Sequence, residues 1–183
     1  MSIVTKISAL SAVLCLNLIG QSFAAVPEYE LKAALLFKVA RFIEWPTSAF
    51  ENGESSLNFC ILGENRFGDA IQIWQGKKIH GRTVAIRALS HSDDQNAPCH
   101  VLFVSDSEQD RVTEVLATWA GQPVLTVADI NGFSAAGGAL TFVNVENRIR
   151  FEINPETNQE AGLQVSAQLM QLATLVKTES RRQ

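Results

Sequence analysis

Two rhythms of apolar residues alternate along the chain, one recurring every 3.6 positions and one every two. Residues 28–45 follow the first. Leu31, Leu35, Val39 and Phe42 fall on one stripe, widened by Leu36 and Ile43, with Glu30, Lys38, Arg41 and Glu44 opposite. This predicts a helix that Pro46 ends, because the residue before a proline is pushed out of the helical region. The run LNFCIL (57–62) is nearly all apolar and reads as a strand covered on both faces. A short helix over 67–74, a turn at His80-Gly81 and an alternating strand over 83–89 follow.

CHVLFV (99–104) predicts a second buried strand. The helix after it, 107–119, turns Val112, Val115, Leu116 and Trp119 inward until Gly121 stops it. Residues 124–127 form another strand. Gly137-Gly138 leads into 139–145, and Glu146-Asn147 turns the chain directly into 148–153, a hairpin. Asn154 and Pro155 suit an N-cap and the first helical position of a last helix, with Ala161, Val165, Leu169, Leu172, Ala173 and Val176 along one side. Strands alternating with helices up to residue 127 predict a single three-layer α/β domain. Its sheet is mostly parallel but mixed, closed by the C-terminal hairpin plus helix.

The first 24 residues change where that domain works. Lys6, the apolar run 7–19 and the small residues around Ser22-Phe23-Ala24 have the layout of a secretory signal peptide, leaving residues 25–183 as the mature domain. The expected location is outside the cytoplasm. Loss of Lys6 takes the formal net charge from -4 to -5, and basic residues gather only at Arg181-Arg182, so no nucleic-acid footprint is visible. Hydrophobic content of 46% and charged content of 19% are ordinary for a globular protein.

Cleavage leaves two cysteines, Cys60 and Cys99. In an oxidising compartment an even pair reads first as a disulfide. A loop of about 40 residues closed this way gains roughly 4 kcal/mol in the chain-entropy account. Two buried free thiols are the alternative. If LNFCIL and CHVLFV are neighbouring strands, the two cysteines come within bridging reach.

Catalytic signatures are missing. The segment 63–68, GENRFG, follows a strand but lacks the Lys-Ser/Thr of a P-loop and the G-x-G-x-x-G of a dinucleotide site, so it reads as a structural turn. Ser134 has no nucleophile-elbow motif around it. His91, Asp93, Asp94, Cys99 and His100 are the densest set of metal-ligand types, without paired ligand spacing. A solvated loop beside a disulfide cysteine competes with a metal or small-ligand sensor there. No cofactor is expected.

Binding surfaces are the remaining candidates. Arg148 and Arg150 share a strand face with Glu152 and read either as a grip for an acidic partner or as a surface paired to Glu146 and Glu152. Arg41, Glu44 and Trp45 end the first helix, and Trp45 reads as a core staple or as an interface anchor. Gln164, Gln168 and Gln171 make a neutral stripe on the last helix.

Six stretches, EYELKAALLFKVARFIEWP, FCILGENRFGDA, CHVLFVSDSE, GQPVLTVAD, GGALTFVNVENRIRFEIN and AGLQVSAQLMQLA, occur in this order between residues 28 and 173. In them the chain resembles the YfiR family of small periplasmic proteins. The resemblance implies an α/β domain, often a homodimer, without catalytic activity. It also implies repression of an inner-membrane diguanylate cyclase, or a similar sensor kinase, from the periplasmic side, with an outer-membrane lipoprotein as a second partner. A disulfide matching Cys60 and Cys99 is implied as well. A second cysteine pair known in the family is missing here, which removes redox sensing through it.

Overall fold

The computed structural model describes residues 27–90 and 98–179. The signal-peptide reading, His91, Asp93, Asp94 and Arg181-Arg182 lie outside the described residues. In chain order the elements are α1 (Glu28–Ala40), β1 (Ile43–Glu44), β2 (Leu57–Leu62), β3 (Lys78–Ile79), β4 (Arg82–Leu89), β5 (Val101–Val104), α2 (Val112–Trp119), β6 (Leu125–Ala128), β7 (Leu140–Val145), β8 (Arg148–Ile153), α3 (Pro155–Glu160), β9 (Gln164–Val165), α4 (Ala167–Leu172) and β10 (Ala173–Leu175). Short 3-10 turns occupy Gly68–Trp74 and Asp106–Arg111.

Eight strands form one sheet in the order β10-β8-β7-β6-β5-β2-β4-β3. The run β4-β2-β5-β6-β7 is parallel, β8 returns antiparallel to β7, and β10 lies parallel to β8. The chain starts its parallel run at β2, moves outward to β4, then crosses to β5 on the other side. The order of succession therefore reverses between β2 and β5, as in doubly wound sheets.

The pleat divides the core. Leu57, Phe59 and Ile61 of β2 join Val101 and Phe103 of β5 and Leu125 and Val127 of β6 on the face that α1 covers with Leu36, Val39 and Ala40. Cys60 and Leu62, with Leu102, Val104 and Ala128, point to the other face, where Val115 and Trp119 of α2 cover them. Burial on both faces is why LNFCIL carries almost no alternation. The fold is the expected three-layer α/β domain with a mixed, mostly parallel sheet.

Three elements differ from the sequence reading. α1 ends at Ala40, not Trp45, because Ile43 and Glu44 pair with Val165 and Gln164 as a two-stranded ribbon. Its buried face is also rotated: Lys32, Ala33 and Leu36 point inward, while Leu31 is 41% exposed. The helix after β5 starts as a 3-10 turn and becomes α-helical only at Val112.

The last helix is in fact two short ones. Asn154 caps α3 as expected, its side chain accepting from the Thr157 N–H. Gly162 then takes φ +69°, the Gly162 N–H donates to the Gln159 carbonyl and the Leu163 N–H to that of Asn158, a Schellman stop. Gln164 therefore lies on β9 while Gln168 and Gln171 lie on α4, and the neutral stripe does not exist.

Candidate interaction surface

β2 and β5 are neighbours in register, Cys60 beside Leu102, and the chain enters β5 through Cys99. Cys60 and Cys99 form a disulfide with Cα atoms 6.0 Å apart, inside the α2 face of the core at 1% and 7% exposure. The bridge ties β2 to the chain entering β5, within the buried cluster that also holds Leu102 and Trp119.

Trp45 is half-buried. Its Nε1–H donates to the His100 carbonyl at 3.1 Å, which fastens the segment after α1 to the start of β5. His100 itself is 2% exposed. Its Nδ1 accepts from the Asn58 N–H at 3.0 Å and its Nε2 lies 3.0 Å from the Ala49 carbonyl, an arrangement that fits the neutral tautomer carrying its proton on Nε2. Burial is the main cause holding its pKa below the ordinary histidine value, and the nearby Arg82 charge acts the same way. The Phe50 ring stacks on His100, and the Arg82 guanidinium lies over the outer face of Phe50 while donating to the Ser55 carbonyl.

Metal ligation at His91–His100 finds no support on its described side. Cys99 is spent in the disulfide, both ring nitrogens of His100 are engaged, and no metal-holding trio of His, Cys, Asp or Glu occurs among the described residues. Ser134 is likewise structural: it is fully buried, with its Oγ 2.6 Å from Thr141 Oγ1. Gly63 has φ +87°, and a Cβ there would run into Ser107 Oγ and Glu108, so GENRFG is a packed turn.

Arg148 and Arg150 are exposed. They lie opposite Val145 and Val143 in the β7–β8 hairpin, whose tip at Glu146 and Asn147 has positive φ at both residues. β6 reaches β7 only at Leu140 and Thr141, and β10 reaches β8 only from Phe151 onward, so the outer half of the hairpin projects beyond the sheet. Phe142 and Phe151 join the core on the same side of the sheet as α1, which turns Val143, Val145, Arg148 and Arg150 to the opposite face. Neither guanidinium has an ion-pair partner among the described residues; the pairing with Glu146 or Glu152 does not form.

The five residues singled out as a partner surface do not come together. Arg41, Glu44 and Trp45 sit near the start of β5, at the N-terminal end of the parallel strands, and Arg148 and Arg150 sit beyond the C-terminal end. The sequence reading also missed a charged cluster at that C-terminal end. Tyr29 donates to Asp129 Oδ2 at 2.7 Å, Lys32 donates to the same oxygen at 2.5 Å, and Glu28 also pairs with Lys32. Burial, then the Asp129 contact, pushes the Tyr29 phenol well above its ordinary pKa, so it stays protonated as the donor. Arg66 pairs with Asp106 alongside and lies over the Tyr29 ring. The signal was the acid closing each apolar run, VLFVSD and LTVAD.

Fold and surface thus define a small, cross-linked α/β domain whose His100, Ser134, Cys60 and Cys99 serve its own structure, with an arginine-bearing hairpin presented outward. A family model described as YfiR/HmsC-like matches residues 29–174, well over half of the chain. The chain belongs to that family, one of periplasmic, non-catalytic regulators of diguanylate cyclase signalling. No helix among the described residues is long and apolar enough to cross a membrane.

Proposed function

We propose that the protein docks on the periplasmic domain of an inner-membrane diguanylate cyclase and represses it, with the β7–β8 hairpin as the docking element. The observation that carries the reading is the projecting patch of Arg148, Arg150, Val143 and Val145, in which two guanidiniums without ion-pair partners among the described residues flank apolar side chains. Arginine beside apolar surface is the composition of interface hot spots, and a planar fork suits an acidic partner. Repression then follows from preferential binding of the inactive cyclase: about 2.7 kcal/mol of differential affinity shifts a two-state ratio a hundredfold. Arg41 and Glu44, at the far end of the sheet, are free for a second contact, either another copy in a homodimer or an outer-membrane lipoprotein that withdraws the repressor.

The test is calorimetry of the purified protein against the isolated periplasmic domains of the diguanylate cyclases of the same cell. One domain binds, and Arg148→Glu with Arg150→Glu abolishes the heat. If none of the domains binds, the reading is wrong.

A further inference from the structure

The segment 45–56 runs from β1 to β2, and two residues outside it hold it down. Arg82 donates to the Asn52, Gly53 and Ser55 carbonyls and covers Phe50. His100 holds the other half, Trp45 to Phe50. Its carbonyl accepts from Trp45 Nε1–H, its Nε2 meets the Ala49 carbonyl, and its ring lies against Phe50 with centroids 4.5 Å apart. None of Thr47–Ala49 is buried, so only Trp45 and Phe50 add packing against the core.

The His100 ring has room for one proton only. Nε2–H has the Ala49 carbonyl as acceptor, whereas Nδ1 already accepts from the Asn58 N–H of β2. A second proton, on Nδ1, would face that donor and lie buried without an acceptor. The charged groups around the ring are Arg82 and Arg87 of β4 and the exposed Glu51 and Glu54 of the segment itself; β2, β5 and β6 bring none. Burial first, with Arg82 acting the same way, holds the ring below its ordinary pKa, although the Ala49 carbonyl pulls in the other direction.

We infer that His100 is an acid-released latch: on taking a second proton its ring leaves its place beneath Phe50, and the stretch Trp45–Phe50 lifts from the sheet while Arg82 keeps residues 52–55. The ring is 2% exposed and reaches water only when Ala49 and Phe50 move aside. The open form binds the proton at the ordinary value of 6.5 and the closed form more weakly, so opening is least above that value and grows as pH falls below it. Acid therefore remodels the end of the sheet that carries Arg41, Glu44 and Trp45 and leaves the β7–β8 hairpin as it is. The latch is independent of the docking surface and is measured on the protein alone.

The experiment is hydrogen exchange followed by NMR at pH 7.5 and 5.0, corrected for the intrinsic rate at each pH. Two protons report the latch, Trp45 Nε1–H and Asn58 N–H, since both are donated to His100. Their protection falls together by at least about fivefold, against a ceiling of about thirtyfold set by a group of pKa 6.5 in the open form. At both pH values they exchange at least about tenfold faster than the Phe103 and Val127 amides of the central strands, the mark of a local opening. In His100→Gln, which cannot take the proton, the Trp45 indole proton loses most of its dependence on pH. The wild-type comparison stands alone if that variant fails to fold. Protection that does not change with pH, exchange as slow as in the central strands, or an undiminished pH response in His100→Gln would each overturn the latch.

Discussion

The ammonium of Lys32 lies 2.5 Å from Asp129 Oδ2, with both side chains more than nine-tenths buried, so one ion pair pins α1 to the end of β6. Breaking a buried pair from one side strands a charge and typically costs about 3–5 kcal/mol. Lys32→Met should therefore lower the melting temperature by on the order of 10 °C. The double variant Lys32→Met with Asp129→Leu removes both charges and should recover part of that loss. Thermal unfolding of the three proteins decides it, and a Lys32→Met variant that melts with the wild type would show that the pair holds nothing.

The Cys60–Cys99 bridge spans the centre of the sheet. Cys60→Ser combined with Cys99→Ser should cost about 2–5 kcal/mol in denaturant unfolding, and reductant should lower the wild-type midpoint toward that of the variant. Coincident midpoints with and without reductant would refute a stabilising bridge.

His100 makes stability depend on pH in a definite direction. Its folded pKa lies below the unfolded value of 6.5, so the unfolded chain binds the extra proton first as pH falls. The contribution of the neutral ring is complete above that value and is lost as pH drops from it toward the lower folded pKa. Protonation would also break the bond that Nδ1 accepts from the Asn58 N–H. Unfolding midpoints at pH 7.5 and 5.5 should separate more for the wild type than for His100→Gln. Equal separations would remove His100 from the acid response.

Arg148→Glu with Arg150→Glu leaves folding almost untouched, because exposed substitutions away from structural features usually change stability by under about 0.5 kcal/mol. Affinity for the cyclase domain should nevertheless fall at least about tenfold. Weakened binding with a lowered melting temperature would instead mean that the arginines serve the fold.

The layers and the sheet were legible in the sequence because burial on both faces writes itself as unbroken apolar runs, as in LNFCIL and CHVLFV. The hairpin was legible from Glu146-Asn147, and the α3 cap from Asn154-Pro155. What failed involved polar groups whose partners are remote in sequence. The stripe drawn through Leu31 left Lys32 out of account; Asp129, 97 positions away, draws Lys32 inward, and Leu31 lies outward instead. Gly162 was a visible stop, overlooked because the apolar spacing of Ala161, Val165 and Leu169 continued through it. The split of the proposed partner surface between two ends of the sheet could not be read at all, since only the α1 packing and the β7–β8 overhang decide which end each residue reaches.

Repression is tested most directly by the cyclic di-GMP content of cells lacking the gene, complemented with the wild type or with the Arg148→Glu, Arg150→Glu variant. Deletion should raise the nucleotide, the wild type should restore it, and the variant, folded and exported, should leave it high. An unchanged level on deletion, or full restoration by the variant, would contradict docking through the hairpin as the means of control.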